Sequence, residues 1–233
     1  LEGVLRPHVM ARDLALHLIH EYGDLIAGKA VMLTGDSIDK MNISEKMTLC
    51  NLLPESRART VLVLPQGELE SVDEMVDAKD IEPMLALPSI PLKIVPASKY
   101  RHQKISVAIA GGCSSGRLDD MKTIADVLSK NEVHQEVTFI ITPGSRSIMG
   151  SMDRMDLSTI LRNSGAVIMP PGCGPCPGRH LGVLSEDDVA ITTTTRNSPG
   201  RIGSSEAKIY LASPLTVALS AVHGQIIEPT ELS

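Results

Sequence analysis

The sequence predicts an α/β protein with mainly parallel sheets, and three observations support this prediction. Short apolar runs that are rich in β-branched residues recur along the chain, as expected for strands. Helical patterns lie between these runs, so that strands and helices alternate. Glycine-containing loops directly follow two of the runs, where a strand gives way to the next segment.

The first part of the chain is predicted to form an α/β domain over residues 1–86. Its elements are expected in the order helix 11–22, strand 30–33, helix 45–53, strand 60–64 and helix 72–78. Gly23 is expected to close the first helix, while Ser44 caps the second and places Glu45 in its first turn. A proline-rich connector is predicted over residues 87–103.

The remaining residues, 104–233, are predicted to form a second α/β domain. Its predicted elements are strand 105–110, helix 118–128, strand 166–169 and strand 189–194. A last helix is expected to begin at Pro214, with Ser213 as its N-cap, and to end before Gly224. In an open parallel sheet, ligands bind at the carboxyl ends of the strands. We therefore expect the loops after the three strands to share one crevice.

Two of these loops carry three of the four cysteines. Cys113 lies in the segment GGCSSGR, and Cys173 and Cys176 lie in PGCGPCPG. The thiols could form a disulfide or pack as ordinary side chains, but no secretory signal is visible and a cytoplasmic location would keep them reduced. The CxxC pair could equally be a redox motif. Because closed metal sites normally use four protein ligands, three thiolates among glycines favour an iron–sulfur cluster with one open iron.

The fourth cysteine and the histidines carry weaker signals. Cys50 lies inside the predicted helix 45–53, where a free cysteine is most often a buried and unreactive thiol. His180 lies four residues after Cys176 and could donate a hydrogen bond to a cluster or a substrate. A single histidine in a loop is more often a surface residue, so no chemistry is assigned to it.

Composition excludes two classes of function. The chain of 233 residues has a formal net charge of −6 and an aromatic content of 2%, whereas nucleic-acid surfaces require a basic face and stacking rings. No apolar run is long enough to cross a bilayer. We therefore expect a cytoplasmic protein that binds neither nucleic acid nor membrane.

Six short segments together resemble the aconitase superfamily, most closely the large subunits of isopropylmalate isomerase and homoaconitase. They occur in the order found in that family and span nearly the whole chain. The matching segments are residues 47–51 (MTLCN), 112–117 (GCSSGR), 142–145 (TPGS), 171–178 (PGCGPCPG), 196–201 (RNSPGR) and 210–214 (YLASP). The cysteine loops combined with the arginine loop are a far more specific signature than a single CxxC motif.

The resemblance implies three-layer α/β/α domains and a 4Fe-4S hydro-lyase. In this family three thiolates, here Cys113, Cys173 and Cys176, hold the cluster. The open fourth iron acts as a Lewis acid on the departing hydroxyl of a hydroxy-polycarboxylate. Arg196 and Arg201 would bind the carboxylates of this small-molecule substrate, because a guanidinium offers two parallel donors that lysine does not match. As an alternative, the two arginines belong to a solvated surface loop.

The sequence also departs from the family pattern. Ser114 and Ser115 stand where a Thr-Asn pair is usual, Thr195 replaces an asparagine, and Met32 lies where a glutamate is common. Such changes alter the hydrogen bonds that tune a cluster and orient a substrate. The N-terminal domain with its histidine motifs is expected to be missing, as is the small swivelling domain that brings a catalytic serine. Both are therefore expected as partners.

Two hypotheses follow from these matches and departures. The first is the cluster-bearing part of a hydro-lyase that isomerises isopropylmalate or a similar hydroxy acid and is active only with its partner domains. The second is a non-catalytic iron–sulfur subunit with a structural or regulatory role. The cysteines and arginines favour the enzyme, whereas the departures at Met32, Ser115 and Thr195 favour the non-catalytic subunit.

Overall fold

The computed structural model describes residues 1–88, 93–179 and 181–232, and its first part contains a two-stranded parallel sheet. The elements here are α1 (Ala11–Ile26), β1 (Ala30–Leu33), α2 (Asp36–Lys40), α3 (Ile43–Leu52) and β2 (Thr60–Val63). Strands β1 and β2 pair in register from Ala30 opposite Thr60 to Leu33 opposite Val63. The short strands and the helices between them follow the predicted alternation.

The rest of the described chain is organised around a sheet of seven strands. Its elements are β3 (Met84–Ala86), β4 (Ile94–Pro96), β5 (Val107–Gly111), α4 (Gly112–Ser115), α5 (Leu118–Leu128), β6 (Thr138–Thr142), α6 (Arg146–Arg154), α7 (Leu157–Asn163), β7 (Val167–Ile168), β8 (Val189–Thr192), β9 (Lys208–Leu211) and α8 (Pro214–His223). The strand order is β4-β3-β9-β8-β5-β6-β7. Strands β5 to β9 are parallel, and β3 and β4 form an antiparallel edge. The α/β class with a mainly parallel sheet is confirmed.

Apolar side chains cover both faces of the large sheet. On β5, Val107 and Ile109 belong to one buried cluster, and Ala108 and Ala110 belong to another. This alternation follows from the two-residue period of a strand. The first cluster includes residues of α1 and α3, whereas the second includes residues of α5, α7 and α8. Helices therefore lie on both faces of the sheet, and α1 connects the two parts of the fold.

Three helix predictions in the first part are wrong: one helix is absent, one begins earlier and one ends later than predicted. The helix predicted for residues 72–78 is absent, because the backbone of Val76 and Ala78 bonds to Glu2, which holds this segment extended. Helix α3 begins at Ile43 because Asn42, not Ser44, is the N-cap: Asn42 Oδ1 accepts from the Glu45 amide at 3.0 Å. The Glu45 carboxylate accepts from the Asn42 amide in return, which completes a capping box.

The third correction concerns α1, which continues through Gly23 to Ile26. Glycine weakens a helix but does not end it when packing supports the next turn. The predicted connector, residues 87–103, contains strand β4, which pairs with β3, while residues 89–92 lie outside the described residues. Among the helices of the described chain, none has the length and apolar character needed to span a membrane.

Candidate functional site

The carboxyl ends of four neighbouring strands meet at one edge of the large sheet. Gly111 at the end of β5 lies opposite Thr142 at the end of β6, and Ile168 at the end of β7 lies opposite Ile141. On the other side of β5, Thr192 at the end of β8 lies opposite Ile109. The loops that carry Cys113, the CxxC pair and the arginines therefore begin at the same edge, as the parallel sheet predicted.

Glycines allow the Cys113 turn to lie directly on the loop after β6. Gly111 has a φ of +108°, and a Cβ atom there would lie 1.9 Å from the carbonyl oxygen of Thr142. A Cβ at Gly116 would lie 2.4 Å from the Gly112 oxygen and 2.6 Å from the Gly144 nitrogen. The Gly144 amide donates to the Gly116 carbonyl at 2.8 Å. The glycines of GGCSSGR thus hold the turn against the loop after β6, because only residues without a Cβ atom allow the two backbones to come this close.

The CxxC loop lies against the same turn. A Cβ at Gly112 would lie 3.5 Å from the carbonyl oxygen of Cys173, so the residue before Cys113 contacts the backbone of the second cysteine. The Cys176 amide donates to that same carbonyl at 3.3 Å. All three thiols are free, and Cys113 and Cys173 are exposed whereas Cys176 is half-buried. The structure therefore places the two loops that carry the three singled-out cysteines against each other.

Cys50 lies elsewhere, in α3. Its Sγ atom lies 3.9 Å from the carbonyl oxygen of Val61 in β2, and burial raises the pKa of this thiol. The side chain is half-buried rather than fully buried. A thiol with a raised pKa is less available as a thiolate, so Cys50 is a poor candidate ligand.

The spacing of the thiols argues against a single bound metal ion. Over the described ranges, no three His, Cys, Asp or Glu side chains are close enough to hold one ion together. A structural zinc site needs four ligands within about 2.3 Å of one point. In an iron–sulfur cluster the thiolates bind different irons, so they need not meet at one point. The donor set of three free thiols fits a cluster better than zinc.

Two buried polar atoms beside the cysteine loops have no hydrogen-bond partner within the part of the chain that the structure describes, which also fits a bound group. One is Thr142 Oγ1, and a Cβ at Gly174 in the CxxC loop would lie 2.3 Å from it. Arg201 Nε is likewise unpartnered, and its Nη2 atom lies 3.6 Å from Cys176 Sγ. Buried polar groups usually find a partner. The site therefore offers one hydroxyl and one guanidinium to a bound group.

Arg196 occupies a different position from Arg201. Its Nε atom donates to both carboxylate oxygens of Glu55 at 3.0 Å, and this hydrogen bond raises the pKa of Arg196. The side chain is 54% exposed. It borders a cleft of about 180 Å³ whose apolar walls include Leu16, Ile19 and Leu52. The structure thus places Arg201 beside the cysteines and pairs Arg196 with a carboxylate that sequence reasoning did not single out.

Two buried arginines lie behind the Cys113 turn; the sequence analysis placed Arg117 in a matching segment without a role and did not single out Arg12. Arg117 Nη1 donates to Thr48 Oγ1 at 3.0 Å and to the Ser114 carbonyl at 2.8 Å. Arg12 Nη1 donates to Ser115 Oγ at 3.1 Å, and its Nη2 atom donates to the Thr194 carbonyl. In the sequence both arginines stand next to helix starts, where a charge normally faces solvent.

The residues that depart from the family pattern lie in two places: Ser114 and Ser115 in the Cys113 turn, and Met32 in a groove on the small sheet. Ser114 Oγ donates to the Thr193 carbonyl at 2.9 Å, and Ser115 Oγ accepts from Arg12 as described. Met32 is half-exposed and lines a separate groove with Leu25. His180 lies outside the described residues.

These features define an α/β protein with a cysteine crevice at the carboxyl edge of its parallel sheet. A model of the aconitase family (aconitate hydratase) matches residues 1–74 and 67–224. The chain belongs to the aconitase family, which confirms the resemblance drawn from its motifs.

Curated relatives agree with this assignment. The chain is 35% identical to the 3-isopropylmalate dehydratase large subunit 2 of Methanopyrus kandleri, an alignment that covers 100% of the chain and 60% of that protein. It is 36% identical to the probable methanogen homoaconitase large subunit of Methanothermobacter thermautotrophicus, over 96% of the chain and 58% of the relative. The chain therefore spans about 60% of the length of the relatives it matches.

One solved structure supports the fold. The crystal structure of Thermococcus kodakaraensis aconitase X in its holo-form superposes with a TM-score of 0.52 at 14% sequence identity. The match covers 84% of this chain and 48% of that one. At this level of identity the comparison shows a shared fold alone.

Proposed function

We propose that this chain is the cluster-bearing part of an iron–sulfur hydro-lyase that isomerises a small hydroxy-polycarboxylate. The observation that supports this most directly is that the two loops with the three free cysteines lie against each other at one sheet edge, with Arg201 next to Cys176. The named relatives are dehydratase and homoaconitase large subunits, which gives the reaction class. Isopropylmalate or a homologue is the proposed substrate.

Cys113, Cys173 and Cys176 would hold a 4Fe-4S cluster, and Thr142 Oγ1 is free to donate a hydrogen bond to it. When bound, the open iron of such a cluster supplies Lewis acidity toward a substrate hydroxyl. Arg201 would bind a substrate carboxylate through its forked N–H donors. Arg196 would do the same after its pairing with Glu55 is exchanged for substrate.

Catalysis would also require groups that this chain is proposed to obtain from partners. A small swivelling-domain subunit is one proposed partner, because the relatives are named large subunits. An N-terminal-domain polypeptide is the second, as the family resemblance implies. Within the chain we propose domains at residues 1–86 and 104–233, joined by residues 87–103. A reducing compartment such as the cytoplasm would keep the three thiols available.

A non-catalytic iron–sulfur subunit is the second candidate function. The observation that favours it is the Arg196–Glu55 ion pair, which occupies one of the two proposed carboxylate-binding guanidinium groups. Met32, which stands where the family often has a glutamate, lines a groove on the small sheet. In this case the cluster would form, but no hydroxy acid would be converted.

Anaerobic reconstitution with iron and sulfide tests the proposal. We expect a 4Fe-4S absorption band, and conversion in air to a three-iron form that ferrous iron and thiol reverse, because the open iron lacks a protein ligand. The reconstituted complex with partners should convert isopropylmalate, homocitrate or citrate, and Arg201→Lys should lose most of that activity while it keeps the cluster. A stable four-iron cluster in air would argue for a fourth ligand. A cluster without any turnover in the complete assembly would favour the non-catalytic subunit.

A further inference from the structure

Arg12 is a deeply buried cation behind the candidate site. Only 1% of its surface is exposed, although it stands in the first turn of α1. Its guanidinium reaches across to the large sheet, where it donates to Ser115 Oγ in the Cys113 turn and to the Thr194 carbonyl that precedes the arginine loop. One side chain thus joins a helix of the first part to two loops of the candidate site.

The charge of Arg12 is only partly compensated within the protein. Arg12 Nε is buried and has no hydrogen-bond partner among the described residues. Burial lowers the pKa of Arg12 to about 10, so the group still carries its charge at neutral pH. Asp13 and Asp120 favour the charge of Arg12; burial raises the pKa of each carboxyl to about 6, so both are still largely ionised at neutral pH. Arg117 opposes it, and one N–H of the buried guanidinium has no partner among the described residues, so a further negative charge nearby would stabilise this group.

A second guanidinium adds to this positive charge. Arg117 is nearly buried, contacts the same turn through the Ser114 carbonyl, and has an unpartnered Nη2 atom. With a cluster bound, the Cys113 thiolate would bring negative charge to the turn that both arginines contact through Ser115 and Ser114.

We propose that Arg12 is a positioning residue for the cluster, because it fixes the Cys113 turn through Ser115 and stabilises the negative charge of the thiolate ligands. The inference rests on the proposed 4Fe-4S site. It differs from a purely structural role, in which Arg12 only ties α1 to the sheet. A structural role would change the stability of the fold but leave the properties of a bound cluster unchanged.

The test compares two arginine–serine pairs in the reconstituted full chain. Arg12→Met removes the charge, and Ser115→Ala removes the acceptor while keeping the charge. Arg154→Met is the matched control, because Arg154 in α6 is exposed and donates to Ser151 Oγ at 2.9 Å. The readouts are the rate of iron release to a chelator and the midpoint potential of the cluster.

We expect Arg12→Met to release iron roughly tenfold faster than wild type and to shift the potential to more negative values, since outer hydrogen bonds and local charge tune both. Ser115→Ala should speed iron release with a smaller shift in potential. Arg154→Met should behave as wild type. If Arg12→Met fails to fold, Arg12→Lys replaces it. Lysine keeps the charge but lacks the parallel N–H donors of a guanidinium, so we expect Arg12→Lys to speed iron release.

The outcomes separate this inference from the proposed function. If the wild-type chain binds no cluster, the proposed function fails. If wild type binds a cluster, and the Arg12 variants and Ser115→Ala retain its potential and its rate of iron release, the positioning role is refuted while the proposed function stands.

Discussion

Gly116→Ala should destabilise the fold and prevent assembly of the cysteine crevice. Gly116 has a φ of −103°, which alanine adopts without strain, so the effect depends on space alone. The new Cβ would lie 2.4 Å from the Gly112 oxygen and 2.6 Å from the Gly144 nitrogen, whereas ordinary contacts are about 3.5 Å. One backbone segment must therefore move by about 1 Å. Overpacking of this kind costs about 1–3 kcal/mol.

Gly150→Ala is the matched control because it makes the same change inside α6. The nearest atom to a Cβ there is the mobile end of Arg154 at 3.4 Å, and alanine in a helix interior should stabilise the protein by about 0.5–1 kcal/mol. Urea unfolding of the apoprotein measures both changes, and iron content after reconstitution reports on the crevice. We expect opposite signs of stability change and a loss of iron only for Gly116→Ala. A Gly116→Ala protein as stable as wild type, with full iron content, would refute the argument from close approach.

Three further changes test other parts of the structure. Cys50→Ser should leave iron content unchanged whereas Cys113→Ser should lower it, and equal losses would contradict the assignment of three ligands. Because burial raises the pKa of Asp13 to about 6, its contribution to stability is present below about pH 4 and is lost as pH rises through 6. This rise in the pKa corresponds to about 3 kcal/mol in the free energy of unfolding. Asp13→Asn should therefore remove this part of the pH dependence of stability, as measured by urea unfolding at several pH values. Glu55→Gln should release Arg196 and strengthen binding of a tricarboxylate by at most about fivefold, as measured by calorimetry; weaker binding would show that Glu55 does not compete.

Local patterns predicted three of the four strands at the candidate site, β5, β7 and β8, but neither β6 nor the whole sheet. Strands β5 and β8 and helix α5 follow clear apolar runs and helical periodicity, and α8 begins and ends at the expected proline and glycine. Strands β3 and β4 have three residues each, which is too short for a two-residue period to show. Their strand geometry comes from pairing with each other and with β9.

Because local patterns carry no long-range contacts, the sequence did not show which residues Arg12 and Arg196 bind at the site. The cysteines could be singled out because thiol spacing and neighbouring glycines are local features of sequence. The partners of Arg12 and Arg196 are distant in sequence: Arg12 bonds to Thr194 at a separation of 182 positions, and Arg196 bonds to Glu55 at 141. No local pattern carries such contacts, and an arginine in a helix's first turn is read as solvent-exposed until the packing is known.

The order of the strands affects when the candidate site forms during synthesis. Strand β8 lies between β5 and β9, so the turn that holds Cys113 is framed by segments that leave the ribosome much later. Its bonds to Thr193, and the bond of Arg12 to Thr194, exist only after β8 has inserted beside β5. Because a domain folds as a unit, loading of the proposed cluster should follow the emergence of β8 from the ribosome. Before that time the thiols would be exposed to oxidants, so assembly would require reducing conditions throughout translation.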